Sequence, residues 1–302
     1  MQLDLADGTT LAIDLREEHN FTWLQSNFGP VFCVFDQQDS GNISFGCFNS
    51  NGERVFVKYA GAHPSSFEGL PQDAVTRLRR AVTVYQDLQP HEHLLTMQMA
   101  LPVEETGGFA LIFPWFDNGE CLHSHWTYPP PAKYEHPKSP YYRFRQLPVE
   151  QRLTALEAIF SFHEHVDRLD YVAIDFYDGS ILYDFESNTL KICDIDFYEK
   201  IPCQAARPPW GSPRYLSPEE LSGVTLLNHR TNVFRMGACA FGLIGGELDR
   251  SRSKWEASDR LYQIACRAVA DHAKDRYANV TEFLHEWHQA RQTLDDCSQS
   301  TQ

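Results

Sequence analysis

The sequence predicts an α+β protein with a β-rich first part and a helical second part, and three observations predict it. Apolar residues alternate with polar ones, between Asp-Gly and Asn-Gly turns, through much of the first 116 residues. Beyond residue 148 the apolar positions recur mainly at helical spacing. Between two of those helical stretches stands a short hairpin with a carboxylate at each end. The 302 residues, 42% hydrophobic and 13% aromatic, suffice for one large core or two smaller ones. We expect one domain over 1–302, with a β-rich part at 1–116, a helical part at 117–292 and a polar tail at 293–302.

The first sixty residues read as β-structure. Leu3 and Leu5, Asp7-Gly8, then Leu11 and Ile13 suggest a hairpin with a tight turn. Val31–Phe35, Ile43–Phe48 and Val55–Tyr59 are further strands, the last two joined by Asn51-Gly52. Lys58 ends the last of them, in RVFVKY, a place where lysine is ordinarily an edge residue. Over 72–88 the period changes: Val75, Leu78, Val82, Tyr85 and Leu88 form a stripe, with Arg77, Arg79 and Arg80 opposite. Strand patterns return at 97–103 and Phe109–Phe113, and PWFDNGE follows as a connector.

The stretch 123–148, rich in Pro, Tyr, His and Trp, has no clean period and reads as a long surface loop, with or without a short helix. Gln151–Val166 is an amphipathic helix. Prolines at 202, 208, 209 and 213 make Tyr198–Pro218 irregular. Thr231–Gly245 is apolar nearly all round, which marks a buried central helix. Leu261–Ala270 and Val280–Ala290 close the chain as helices, and the polar tail after Arg291 should fray.

A net charge of −15, with only Arg77-Leu78-Arg79-Arg80 locally basic, argues against a nucleic-acid partner. No stretch reaches the roughly 18 apolar residues of a membrane span. The acidic opening MQLDLADGTT lacks a signal-peptide core, so we expect a cytoplasmic protein that inserts in no membrane. Eight scattered cysteines without a CxxC read as reduced core thiols. The histidine pairs 91/93, 123/125 and 163/165 have no cysteine at ligand spacing, so no metal site is expected from them.

The chemistry concentrates in VAIDFYDGSILYDFESNTLKICDID. Ser180–Tyr183 and Leu190–Cys193 are its strands, Glu186-Ser187-Asn188 its turn, and Asp175 and Asp194 its flanking carboxylates. Two fixed carboxylates can take a hydroxyl proton and hold a divalent cation, the needs of phosphoryl transfer. An ordinary surface hairpin with acidic ends is the plain alternative.

The order of motifs resembles the protein-kinase-like superfamily, in particular a divergent branch of bacterial eukaryotic-like serine/threonine kinases with DFYDGS in the catalytic loop. The resemblance implies a bilobal protein-kinase-like fold, with a small β-rich N-lobe and a larger helical C-lobe. RVFVKY looks like the strand whose lysine, here Lys58, holds nucleotide phosphates. LIFPWFDNGE looks like the hinge, implying Pro114, Trp115 and Phe116 against adenine and Glu120 near the ribose. By the same resemblance Asp175 is the base, Asp194 the Mg²⁺ ligand, and Ser212 of GSPRYLSPEE a neighbour of Asp175. Glu219 is the structural glutamate, and Arg276 of HAKDRY the arginine that pairs with it. ATP and Mg²⁺ are the implied cofactors, and a protein hydroxyl the implied substrate.

Several positions depart from the family pattern. FDQQDSGNIS keeps one glycine, Gly41, where the pattern has three, so the nucleotide grip should be weaker or different. Val82 stands where the lysine-pairing glutamate belongs, with Asp73 and Glu68 the nearby acids. Ala173-Ile174 replaces His-Arg, Tyr177 replaces a lysine, and Ser180 replaces a metal-binding asparagine, with Asp178 at hand to compensate. Asn232 replaces the capping aspartate of the central helix and can accept the same backbone bonds. Asp196-Phe197 offers a second register for the metal ligand; Asp194 is favoured because it leaves a shorter insertion. A serine/threonine protein kinase is the leading expectation. A catalytically impaired pseudokinase scaffold and a small-molecule phosphotransferase of the aminoglycoside type are the alternatives.

Overall fold

Turn chemistry explains how the first sheet is connected. The computed structural model describes residues 2–124, 126–223 and 226–299. It divides into one unit of Met1–Pro90 with Leu95–Asp117 and a second of His91–Leu94 with Asn118–Gln302. In the first, β1 (Gln2–Asp4) and β2 (Thr10–Ala12) form the opening hairpin, with Leu3 opposite Leu11. A short helix, α1 (Thr22–Phe28), follows. Next come β3 (Val31–Phe35), β4 (Asn42–Phe48) and β5 (Arg54–Ala60), then α2 (Pro71–Leu88), β6 (Met99–Val103) and β7 (Gly108–Pro114). The five long strands pair antiparallel in the order β3-β4-β5-β7-β6.

α1 corrects the expectation of β-structure over the first sixty residues. Seven residues are too few for a helical period to register, yet the turn buries Trp23, Leu24 and Phe28. They join a core with Ile43, Phe45, Val57, Tyr59 and Ile112 from one sheet face. On the opposite face Phe113 meets Tyr85 of α2, with ring centroids 5.0 Å apart. β5 is an interior strand, so Lys58 is not the edge residue its sequence context suggests; it is 5% exposed.

The second unit opens with β8 (Gly119–Cys121), α3 (Ala132–Glu135) and α4 (Pro140–Arg145). The stretch 123–148 is therefore not simply a surface loop: it buries Lys133, Tyr141 and Phe144. α5 (Val149–Arg168) precedes β9 (Tyr171–Val172), β10 (Ile181–Asp184), β11 (Thr189–Ile192), β12 (Glu199–Lys200) and β13 (Cys203–Gln204). α6 (Pro218–Ser222), β14 (Leu226–Leu227), α7 (His229–Ile244), α8 (Asp259–Ala268) and α9 (Val280–Gln299) complete it. The long helices share a core: Phe160 of α5 lies 4.9 Å from Phe283 and 5.1 Å from Trp287 of α9. α7 is buried from Thr231 to Ile244, as its all-round apolar sequence requires. α9 runs on through Gln299, since no Gly or Pro after Arg291 breaks it.

Candidate active site

Two ladders bring the carboxylate-bearing loops to one place. Inside, β10 pairs with β11 from Ile181↔Ile192 to Asp184↔Thr189. Outside, β9 pairs with β12, Val172 opposite Glu199 and Tyr171 opposite Lys200. The two loops between them, 173–180 and 193–198, must therefore face each other. The first carries Asp175 and the second carries Asp194 and Asp196. The turn residue Asn188 has φ 55°, a left-handed conformation that Asn tolerates and that lets the strands reverse.

Asp175 and Asp194 are themselves left-handed, with φ 63° and 57°. Non-glycine residues pay for that conformation, which turns their side chains out of the path of the chain. Both carboxylates are half-buried, whereas Asp196 is buried. Two phenols register both charges. Burial raises the Tyr177 and Tyr198 hydroxyls first, and Asp175 and Asp194 each push them further. Ser180 sits beside the second loop, because Cys193 N–H donates to Ser180 O at 3.0 Å. The buried Ser180 Oγ has no hydrogen-bond partner among the described residues.

Helix α7 braces the loop on either side of Asp175. Asn232 Oδ1 accepts from Ala173 N–H at 2.9 Å, while its Nδ2 donates to Tyr171 O at 2.7 Å and to Asp167 Oδ1 at 2.8 Å. Three residues further on, Arg235 Nη1 donates to Phe176 O at 3.1 Å. Asn232 does not cap the helix as its position suggested, since the N-cap of α7 is Asn228; the backbone bond it accepts comes instead from the Asp175 loop. Behind the loop Phe176 stacks on His163, with centroids 4.2 Å apart. The His163 Nδ1–H donates to Ile159 O (2.8 Å), so its Nε2 accepts from the Tyr198 hydroxyl (2.9 Å).

The GSPRYLSPEE segment meets this loop directly. Gly211 has φ 109°, and a β-carbon there would stand 3.2 Å from Asp175 Oδ1. Ser212 follows, its Oγ accepting from Arg214 Nε at 3.0 Å. Glu219 and Arg276 form a two-bond pair, Nη1–Oε1 at 2.7 Å and Nη2–Oε2 at 2.9 Å. Beside it the buried Arg235 guanidinium pairs with Glu220, whose other oxygen accepts from Ser217 N–H and Oγ at 2.9 and 2.8 Å.

Asp178 differs from its expected role. It is 0% exposed and both its oxygens are engaged. Arg214 donates to Oδ1 and Oδ2 at 2.8 Å, Lys133 to Oδ2 at 2.6 Å, and His123 to Oδ1 at 3.2 Å. Glu247 completes the cluster, 2.6 Å from Arg214 and 3.5 Å from Lys133. A buried cation, Lys133, and a half-buried one, Arg214, thus face two carboxylates. Burial would raise the Asp178 carboxyl, but His123, Arg214 and Lys133 outweigh it and hold it well below the usual range. An Asp so committed anchors its loop and is not placed to take a metal ion. Nothing in residues 123–148 announces Lys133 as a partner of Asp178. Arg214 did carry a signal, being part of a motif already singled out.

The nucleotide calls fall on both units. Glu120 is held by Arg143 at 2.6 and 2.7 Å. In the first unit, Pro114 ends β7, Trp115 meets Phe32 edge-on with centroids 4.9 Å apart, and Phe116 is half-buried. Gly41 has a packing task rather than a phosphate-covering one: φ is 79°, and a β-carbon would lie 2.6 Å from the Phe67 ring and 3.0 Å from Ala74. Of the acids near α2, Glu68 pairs with Arg16 at 2.5 Å and Asp73 is exposed. No group of three His, Cys, Asp or Glu among the described residues is set to hold a metal ion. Mg²⁺ asks less of a protein, one or two carboxylates with waters and phosphates supplying the rest. Asp194 with the unpartnered Ser180 hydroxyl is compatible with that. No helix of the described residues is long and apolar enough to cross a membrane. Searches against protein-family models and curated proteins match none of them to this sequence.

Proposed function

We propose that this protein is an ATP- and Mg²⁺-dependent phosphotransferase of the protein-kinase-like kind, acting on a protein hydroxyl. One observation carries the reading: Asp175 and Asp194, both left-handed, project from facing loops held between two antiparallel ladders. Asp175 accepts the proton of the attacking hydroxyl and orients that oxygen. Gly211, packed on Asp175, brings the backbone of the GSPRY segment alongside, where an extended substrate segment can be aligned. Asn232 and Arg235 hold the loop rigid from behind, so that little reorganisation is needed at the moment of transfer. Asp194 and Ser180 would hold the Mg²⁺ ion, which when bound neutralises charge on the transferring phosphate. Lys58 would meet the nucleotide phosphates.

The scaffold alternative draws on Gly41, which is sealed against Phe67 and Ala74 and cannot offer its amide as an open glycine loop does. One experiment separates the two. With labelled ATP, Mg²⁺ and a basic protein acceptor, the wild type transfers label, and Asp175→Asn lowers the rate about 10²–10⁴-fold, the usual worth of a general base. Label transfer that survives Asp175→Asn overturns the assignment. ATP binding without any transfer identifies a scaffold.

A further inference from the structure

Buried polar atoms without partners lie on the Lys58 face of the first unit's sheet. Ser44 stands directly opposite Lys58 in the β4–β5 register, and Asn42, two residues back, is on the same face. Ser44 is 0% exposed and Asn42 1%. Neither the Asn42 amide oxygen and nitrogen nor the Ser44 hydroxyl has a hydrogen-bond partner among the described residues. Leaving such groups buried and unpaired forfeits the hydrogen bonds they make to water in the unfolded chain. Val or Ile would pack better at an interior strand position. The strand thus keeps two polar residues side by side, next to a lysine, whose hydrogen-bonding groups no described residue satisfies.

The same face supplies the rest of a nucleotide site. Gly46 is two residues beyond Ser44, and a β-carbon there would stand 2.6 Å from the Phe32 ring. Phe32 in turn meets Trp115 edge-on, and Phe56 lies beside Trp115 with centroids 6.4 Å apart. Each two-residue step along β4 covers about 7 Å. The face therefore runs from half-buried aromatic rings to a lysine, a hydroxyl and an amide over the reach of a base and its phosphates.

We infer that Asn42 and Ser44 bind the phosphate oxygens of the nucleotide through their side chains, beside Lys58, in place of the backbone amides of a glycine-rich loop. This rests on the phosphotransferase reading above and gives a reason why one glycine suffices: Gly41 only turns the chain and packs on Phe67, while the donors come from the next strand. Asn42 Nδ2 and the Ser44 O–H are the donors, and Asn42 Oδ1 is left for a water.

The test is calorimetric titration of Ser44→Ala, Asn42→Leu and Lys58→Ala with Mg-ATP, Mg-ADP and adenosine, alongside the melting temperature of each ligand-free protein. We expect Ser44→Ala and Asn42→Leu each to weaken ATP and ADP at least about tenfold, the worth of one bond to a charged oxygen. Adenosine affinity should stay within about twofold, and ligand-free melting should be unchanged or raised, since an unpaired buried group is removed. If ATP affinity is unchanged in both variants while Lys58→Ala loses it, the inference fails and the phosphotransferase reading stands. A wild-type protein that binds neither ATP nor ADP overturns both. Should Asn42→Leu not fold, Ser44→Ala, the loss of one oxygen, decides alone.

Discussion

Gly211 is the residue on which the candidate chemistry depends most sharply without taking part in it. Its φ of 109° belongs to glycine, and its α-carbon lies against Asp175. Gly211→Ala adds both backbone strain, about 1–3 kcal/mol, and a methyl 3.2 Å from Asp175 Oδ1. We expect a loss of stability of that size in urea denaturation, together with a drop in kcat larger than any change in the KM for ATP. An unaltered kcat would mean that this segment does not set the Asp175 geometry. At the same scale, the sequence discloses residues whose role is announced by neighbours along the chain. Asp175 and Asp194 stand out because a hairpin lies between them. Asp178 does not, because its partners His123, Lys133 and Arg214, with the Glu247 that shares the last two, converge only in the fold. In isolation it looks like a third carboxylate of the same kind. Gly41 misleads differently, because a glycine kept for φ and for Phe67 is indistinguishable in sequence from one kept for phosphate.

At the scale of elements, regular periods and strong turns were legible, and short or context-held pieces were not. The strands at 31–35, 42–48 and 54–60 follow from alternation and Asn51-Gly52, and α5 and α7 from their apolar stripes. α1 and α4 are seven and six residues long and owe their form to the side chains they bury, which no window of sequence averages in. β8 exists because β10 offers it an edge, Leu182 opposite Cys121, a long-range pairing without a local signal. The pair of Glu219 and Arg276 was legible through the family resemblance, which implied both partners from two separate motifs. It ties α6 to the segment before α9 and is largely desolvated, the Arg276 side chain being 0% exposed. Removing one partner strands the other, which costs about 3–5 kcal/mol in buried pairs. Arg276→Met should therefore lower stability by that order in denaturant unfolding, and Glu219→Gln placed on top should recover part of it. A double variant no more stable than Arg276→Met would show that the arginine acts through packing on Phe234, 4.8 Å away, rather than through its charge.

At the scale of the molecule, the buried histidine behind the Asp175 loop ties stability to pH. His163 is enclosed in the second unit, and burial lowers its pKa from 6.5 to about 3, only partly offset by the Ile159 carbonyl. The folded state thus holds it neutral, accepting from Tyr198 and stacked on Phe176. Below pH 6.5 the unfolded chain takes up a proton that the folded chain refuses until about pH 3. Stability must then fall as pH drops through that window, by about 1.4 kcal/mol per pH unit for one proton. Carboxylates held low by their partners act on a lower range: Glu219, lowered from 4.5 despite burial by Arg276, loses its contribution only as pH falls past that value. Between pH 6.5 and 5 the histidines therefore dominate, with half-buried His91, also lowered by burial, adding a smaller share. Urea midpoints measured across pH 7.5 to 5 should decline for the wild type, and His163→Gln, which keeps an acceptor for Tyr198, should flatten the slope by about one proton's worth. A variant with the wild-type slope would exclude His163 as the source. The residues it touches make the consequence functional as well: protonation removes the acceptor for Tyr198 in one facing loop and charges the ring under Phe176 in the other. Because the folded chain refuses that proton until about pH 3, the proposed transfer activity should hold as the pH falls and be lost together with the fold, its midpoint coinciding with the unfolding midpoint.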